Sequence, residues 1–121
     1  MHNFIEAAMT RTAMVLVERG IGSAEEVDAV VTHGFALRVA QLGVLRSADY
    51  AGLETALRTL QYIFAETGDA AFKPPAILER KVADKELGMK SGKGFYFYGP
   101  DDAARIGSIT NAALMNAVKD L

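Results

Sequence analysis

The sequence predicts an all-α fold, and three observations carry that prediction. Apolar residues recur at helical spacing in several separated segments, and glycine or proline punctuates the gaps between them. A complete helix-start signature, Ser23-Ala-Glu-Glu26, opens one of the segments.

Asn3 to Arg19 reads as the first helix. Its apolar positions Phe4, Ile5, Ala8, Met9, Ala13, Met14, Leu16 and Val17 cover more than one stripe, as in a helix buried centrally or shared with a partner. Gly20 and Gly22 end it, being residues that tolerate left-handed backbone at a helix C-terminus. In the second helix Ser23 is the N-cap and Glu26 reaches back to it; Val27, Val30 and Val31 give a short apolar face that stops at Gly34. Phe35 to Gly52, containing Arg38, Arg46 and Asp49, is less periodic and reads as a connection. Leu53 to Thr67 resumes helical spacing and ends at Gly68-Asp69. Lys73-Pro-Pro75 breaks the chain and seeds a further helix, with Ile77, Leu78 and Val82 on one face and Leu87 closing it before Gly88. Asp101 or Asp102 caps a last helix carrying Ile106, Ile109, Ala113, Leu114, Ala117 and Val118. The reading is about five helices plus one short glycine/aromatic turn segment, forming a single domain over 1–121.

Composition excludes several functions. With no cysteine, neither a disulfide frame nor a thiolate metal site is available, and His2 and His33 lie far apart without carboxylates at ligand spacing, so no metal is expected. A net charge of −2 leaves no nucleic-acid footprint. No run of 18 apolar residues exists, so no membrane span is expected. The start, Met1-His-Asn-Phe-Ile-Glu, lacks a basic region and a cleavage site, so the expected compartment is the cytoplasm. Half the residues are hydrophobic and only 23% are charged, which suggests apolar surface buried against a partner chain or another domain.

The run Gly88-Met-Lys-Ser-Gly-Lys-Gly-Phe-Tyr-Phe-Tyr-Gly-Pro100 poses the sharpest question. A phosphate loop needs G-x-x-x-x-G-K-[ST] running into a helix. Here the spacing to Gly92-Lys93 is one residue short, Gly94 stands where the hydroxyl belongs, and four aromatics follow. The better reading is a glycine-permitted turn whose aromatics pack down, alternate members facing inward as in a strand.

These signals in order, "ERGIGSAEEVD", "DYAGLE", "KPPAILERKV" and "LGMKSGKGFYFYG" after a helix that starts at an Asn, resemble the C-terminal domain of NAD-dependent L-3-hydroxyacyl-CoA dehydrogenases, from Asn3 to about Tyr98. The resemblance implies a helical fold like the C-terminal domain of 6-phosphogluconate dehydrogenase. It implies a homodimer, an acyl-CoA substrate, and NAD held by a separate Rossmann domain that carries the catalytic His–Glu pair. This chain has no Gly-x-Gly-x-x-Gly after an apolar strand, so no cofactor is expected on it, and alone it is expected to be inactive.

The family places an Asn at the head of its first C-terminal-domain helix, and Asn3 to Gly20 reproduces that spacing without a gap. By this match Asn3 is the supporting catalytic residue, its amide orienting a carbonyl or an imidazole; an ordinary helix-capping Asn fits the same position. Lys90 and Lys93 are candidates for coenzyme A phosphates, or plain solvent-exposed lysines. Two departures stand out: Phe4 follows Asn3 where the family commonly has Arg, and Gly43-Val-Leu-Arg46 stands where many relatives read Gly-Pro-x-Glu. His2 is read as solvated, and His33 as complementing a helix end. The alternative to a dehydrogenase half is a stand-alone, non-catalytic helical dimerisation or acyl-binding module.

Overall fold

A computed structural model describes residues 1–119, apart from the side chains of Ala113, Leu114 and 116–119. The described residues form seven α-helices: α1 (His2–Glu18), α2 (Ala24–Val30), α3 (Ala36–Leu42), α4 (Val44–Ala51), α5 (Leu53–Thr67), α6 (Ala76–Ala83) and α7 (Asp102–Lys119). Short 3₁₀ turns at Ala70–Phe72 and Met89–Ser91 join them, and the only β pairings among the described residues are isolated bridges, Gly88 with Lys93 and Lys93 with Phe97. The all-α expectation holds. The connection expected over Phe35–Gly52 is instead helical, forming α3 and α4 on either side of Gly43 (φ 85°).

The backbone groups into two compact units, Met1–Leu37 and Arg38–Leu121. In the first, α1 lies against α2, and the capping box forms as expected: Glu26 N–H donates to Ser23 Oγ (3.1 Å) and Ser23 N–H donates to Glu26 Oε1 (3.2 Å). Helix α1 ends in a Schellman arrangement, Gly20 N–H donating to Val17 O and Ile21 N–H to Leu16 O, with Gly20 at φ 70°. Beyond α2 the ladder widens to a π-type turn over Val31–Phe35, broken at Gly34. No residue of α1 is buried: Phe4 is 83% exposed and Met14 65%. Within this unit the helix is therefore not the central one; its apolar surface faces outward.

The second unit holds the buried hydrophobics Leu53, Leu78, Met89 and Ile106. Helix α5 packs on α4 and α6, while the Met89–Ser91 turn lies against α4 and α7. Leu53 is fully buried, an apolar burial that stabilises by about 2 kcal/mol, and its N–H donates to Leu87 O (2.9 Å), tying the start of α5 to the approach of the glycine-rich run. Helix α5 ends at Gly68 in the left-handed region, as its sequence predicts. In the first turn of α7, Asp102 accepts the Gly99 N–H (2.6 Å) and an Arg105 Nη2 hydrogen bond (2.9 Å). Of the apolar face expected on this helix, Ile106 is buried; Ala113, Leu114, Ala117 and Val118 lie outside the described side chains.

Helix α6 ends in a second Schellman arrangement, Lys85 N–H donating to Val82 O and Glu86 N–H to Lys81 O. Here the left-handed position is Lys85 (φ 59°), the one non-glycine residue with positive φ among those described. A side chain there carries a backbone penalty that glycine avoids. Lys85→Gly is therefore expected to raise unfolding free energy by about 0.5–1 kcal/mol in urea titration; a loss of stability would contradict this account of the cap.

Candidate functional site

Two sequence signatures that lie some forty residues apart meet around one carboxylate. Asp49, in the last turn of α4, is 1% exposed. Its oxygens accept the N–H of Phe95 (3.0 Å to each), the N–H of Tyr96 (3.2 Å) and the hydroxyl of Tyr98 (2.7 Å). Burial, and then the adjoining carboxylate, pushes the Tyr98 phenol well above the usual tyrosine value, which keeps it a donor. The glycine-rich run does cradle an anion, but the anion is the protein's own Asp49.

That cradle explains two glycines by close approach. A Cβ on Gly94 would sit 2.6 Å from Asp49 Cγ and 2.7 Å from Gly88 Cα. A Cβ on Gly88 would sit 2.8 Å from Asp49 Cα, on a backbone at φ 109°. Ser91 Oγ accepts the Leu87 N–H (2.8 Å) and faces the carbonyls of Lys93 and Gly88, closing the turn from within. Lys81 Nζ donates to Gly94 O (3.0 Å) and lies 5.1 Å over the Phe95 ring. The aromatics do not alternate as a strand would: Phe95 and Tyr98 are half-buried, while Tyr96 and Phe97 are exposed. The segment is fastened at Asp49, not in a ladder, so period-two packing has no neighbouring strand to obey.

The candidate lysines sit on this turn, each with a carboxylate. Lys90 pairs with Glu54 in the first turn of α5. Lys93 pairs with Glu86 (2.9 Å) and lies 5.1 Å over the Phe97 ring. The Lys93 hydrogen bond, with Lys81 adding to it, holds the Glu86 carboxyl below its ordinary value. A depressed carboxylate contributes stability that is present above the ordinary value and is lost as pH falls through the lowered one. Glu86→Gln should therefore remove part of the acid-side slope in a series of urea midpoints across pH 2–6. An unchanged slope would show that this ion pair does not stabilise the turn.

Asn3 belongs to the first unit. It lies one residue inside α1, whose N-cap is Met1, so it is not the helix's cap. Its side chain is exposed and makes no hydrogen bond among the described residues, leaving the donor and acceptor of the amide uncommitted. His2 is taken by Glu6 (Nε2 to Oε2, 2.6 Å), and His33 Nδ1 lies 3.2 Å from Ala29 O at a helix end. Also in this unit, an apolar groove of about 550 Å³ runs between α1 and α2, lined by Met9, Leu16, Val27, Val30 and Phe35 among others.

The sequence did not point to the Asp49 cradle, and it marked Arg46 only as a departure from the family pattern, not as a guanidinium stacked 4.4 Å over the Tyr96 ring. The available signal was Gly88 and Gly94 flanking a turn that lacked a phosphate-loop spacing. Glycines with no exogenous anion to serve imply close approach to something inside the protein. Among the described residues no cluster of three His, Cys, Asp or Glu could hold a metal, and no helix is long and apolar enough to cross a membrane.

Residues 2–98 match the family described as the 3-hydroxyacyl-CoA dehydrogenase C-terminal domain. The chain is 32% identical over 99 residues to 5-formyl-3-hydroxy-2-methylpyridine 4-carboxylate 5-dehydrogenase of Mesorhizobium japonicum, covering 82% of this chain and 32% of that protein. It is 37% identical over 87 residues to 3-hydroxybutyryl-CoA dehydrogenase of Mycobacterium tuberculosis, covering 72% and 29%. Among solved structures, a 3-hydroxyacyl-CoA dehydrogenase of Archaeoglobus fulgidus superimposes with a TM-score of 0.81 at 34% identity, over 98% of this chain and 40% of that one. The chain thus spans about a third of the length of the curated relatives it matches. The match ends at Tyr98, the phenol that closes the Asp49 cradle, and both signatures that build the cradle lie within it. The chain belongs to the 3-hydroxyacyl-CoA dehydrogenase C-terminal-domain family.

Proposed function

We propose that this chain is the helical half of an NAD-dependent dehydrogenase that interconverts L-3-hydroxyacyl-CoA and 3-ketoacyl-CoA. The observation that carries the reading is Asn3, an exposed and uncommitted amide at the head of α1, in a chain that belongs to this family. Its N–H₂ would donate to the reacting oxygen, or its carbonyl would accept from an imidazole brought by another domain. This chain offers no dinucleotide site of its own. The N–H groups of Phe95 and Tyr96 are spent on Asp49, those of Gly88, Ser91, Gly92 and Gly94 on carbonyls of the same turn, and no described residue forms the strand that a dinucleotide loop must follow. Hydride transfer is therefore left to a partner domain.

The outward apolar surface of α1, with Phe4, Ile5, Met9 and Met14 exposed, fits a helix that a second copy covers, as a homodimer requires. Lys90 and Lys93 keep part of their surface in solvent, and a coenzyme A phosphate would reach them only by displacing Glu54 or Glu86. The Mesorhizobium relative is named for a pyridine carboxylate with no coenzyme A, which favours a second reading in which the substrate is not a thioester.

The test is an assay of the 121-residue chain alone, and of the same chain joined to the dinucleotide-binding domain of a 3-hydroxybutyryl-CoA dehydrogenase. Acetoacetyl-CoA with NADH is the first substrate, and a pyridine carboxylate aldehyde with NAD the second. The chain alone should give no turnover and the joined protein should, with Asn3→Ala lowering kcat by roughly 10²-fold. Turnover by the chain alone would overturn the reading, as would an Asn3→Ala protein of unchanged kcat.

A further inference from the structure

We propose that a depression on the Arg38–Leu121 unit, between α4, the aromatic turn and α7, binds a small oxyanion, a carboxylate or phosphate on a compact apolar body. The depression has a volume of about 270 Å³, and Gln41, Arg46, Tyr96, Phe97, Arg105 and Ile109 are among its walls. Its two cations are committed unequally. Arg105 gives one Nη2 hydrogen bond to Asp102 (2.9 Å) and keeps the rest of its five donors. Arg46 is half-buried and has no carboxylate partner among the described residues; its guanidinium is held flat, 4.4 Å over the Tyr96 ring.

Stacking of this kind fixes the plane of an arginine, and beyond the edge that Arg46 turns to the Tyr98 hydroxyl it keeps further donors for a fork-shaped contact to an oxyanion. The acid in the wall does not cancel the site. Asp102 is already satisfied by the Gly99 N–H (2.6 Å) and by Arg105, so the wall itself carries one more arginine than carboxylate, with the buried Asp49 behind Tyr98 spent on its own three donors. Phe97, 80% exposed, and Ile109, 41% exposed, supply apolar wall for a body of a few carbon atoms, and the volume falls below that of a drug-sized pocket. The site uses neither Asn3 nor the two candidate lysines, so it stands or falls apart from the dehydrogenase reading.

The experiment titrates the ¹⁵N-labelled chain with inorganic phosphate and, separately, with butyrate at constant ionic strength, following arginine Nε–H and the Tyr96 and Phe97 amides by NMR. At least one probe is expected to shift these signals saturably, with a Kd of about 1–10 mM for an exposed site. Saturation by phosphate alone assigns a phosphate ligand, and by butyrate alone a carboxylate. Arg46→Gln should weaken that binding by roughly tenfold or more, Arg46→Lys less, and Arg105→Gln should weaken it in a protein whose Asp49 cradle is untouched. Shifts that never saturate with either probe, or an Arg105→Gln protein that binds like the parent, would overturn the proposal.

Discussion

Asp49→Ala should cost about 3–5 kcal/mol of unfolding free energy, the largest loss expected from any single polar substitution in this chain. The magnitude follows from what is left behind. Two backbone N–H groups, at Phe95 and Tyr96, and the Tyr98 hydroxyl all end on this 1%-exposed carboxylate, and alanine offers none of them an acceptor. Each unmet buried donor costs about 1–3 kcal/mol, and small domains have only about 5–15 kcal/mol in total. Asp49→Asn preserves volume but brings an NH₂ group into a nest of donors, so it should recover only part of the loss. Urea titration gives the free energies, and hydrogen exchange gives a second readout. The Phe95 and Tyr96 amides should lose protection in both variants, while amides within α5 hold theirs until global unfolding. If both variants lie within 1 kcal/mol of the parent, Asp49 is not what fastens the turn.

The same residue explains why the sequence was legible in some places and opaque in others. Where the inward face is apolar and the ends carry standard chemistry, periodicity reads correctly: α5 runs from Leu53 to Thr67, and the Ser23–Glu26 box forms as written. Helix α4 fails that test because its buried residues are Ser47 and Asp49, so the face that goes inward looks like the face that should go out. A hydrophobic pattern cannot reveal a helix whose inward residue is a carboxylate awaiting partners from a turn far along the chain. The Phe95–Tyr98 aromatics misled for the same reason. They look like a strand by composition, but the Phe95 and Tyr96 amides and the Tyr98 hydroxyl are committed to Asp49, and their burial follows that attachment. Asn3 is a different case: its place at the head of α1 could be read from spacing, while the geometry adds that it is not the cap and that its amide is free of partners in this chain.

Gly94→Ala is the second large effect, and its dependence on Asp49 makes it the more discriminating one. The added methyl carbon would lie 2.6 Å from Asp49 Cγ and 2.7 Å from Gly88 Cα, inside contact distance of a buried carboxylate and of backbone. Neither neighbour is the free end of a flexible side chain, so the turn must shift as a body, at about 2–4 kcal/mol. Gly99→Ala serves as the control, because the nearest neighbour of its added carbon would be Asp102 Oδ2 at an ordinary 3.5 Å; it should stay within about 0.5 kcal/mol of the parent. If the penalty at Gly94 comes from the carboxylate it abuts, it should shrink once that carboxylate is gone. The Asp49→Ala/Gly94→Ala double variant should then be more stable than the sum of the single losses implies, by about 1–2 kcal/mol. The Gly88 backbone would still be crowded, so the relief should be partial. Strict additivity would mean that the two positions do not interact and that Gly94 is required only for its backbone. A coupling of the expected sign would place the glycine-rich signature and the DYAGLE signature that begins at Asp49 in one energetic unit, which is the physical reason for a chain of this fold to carry both.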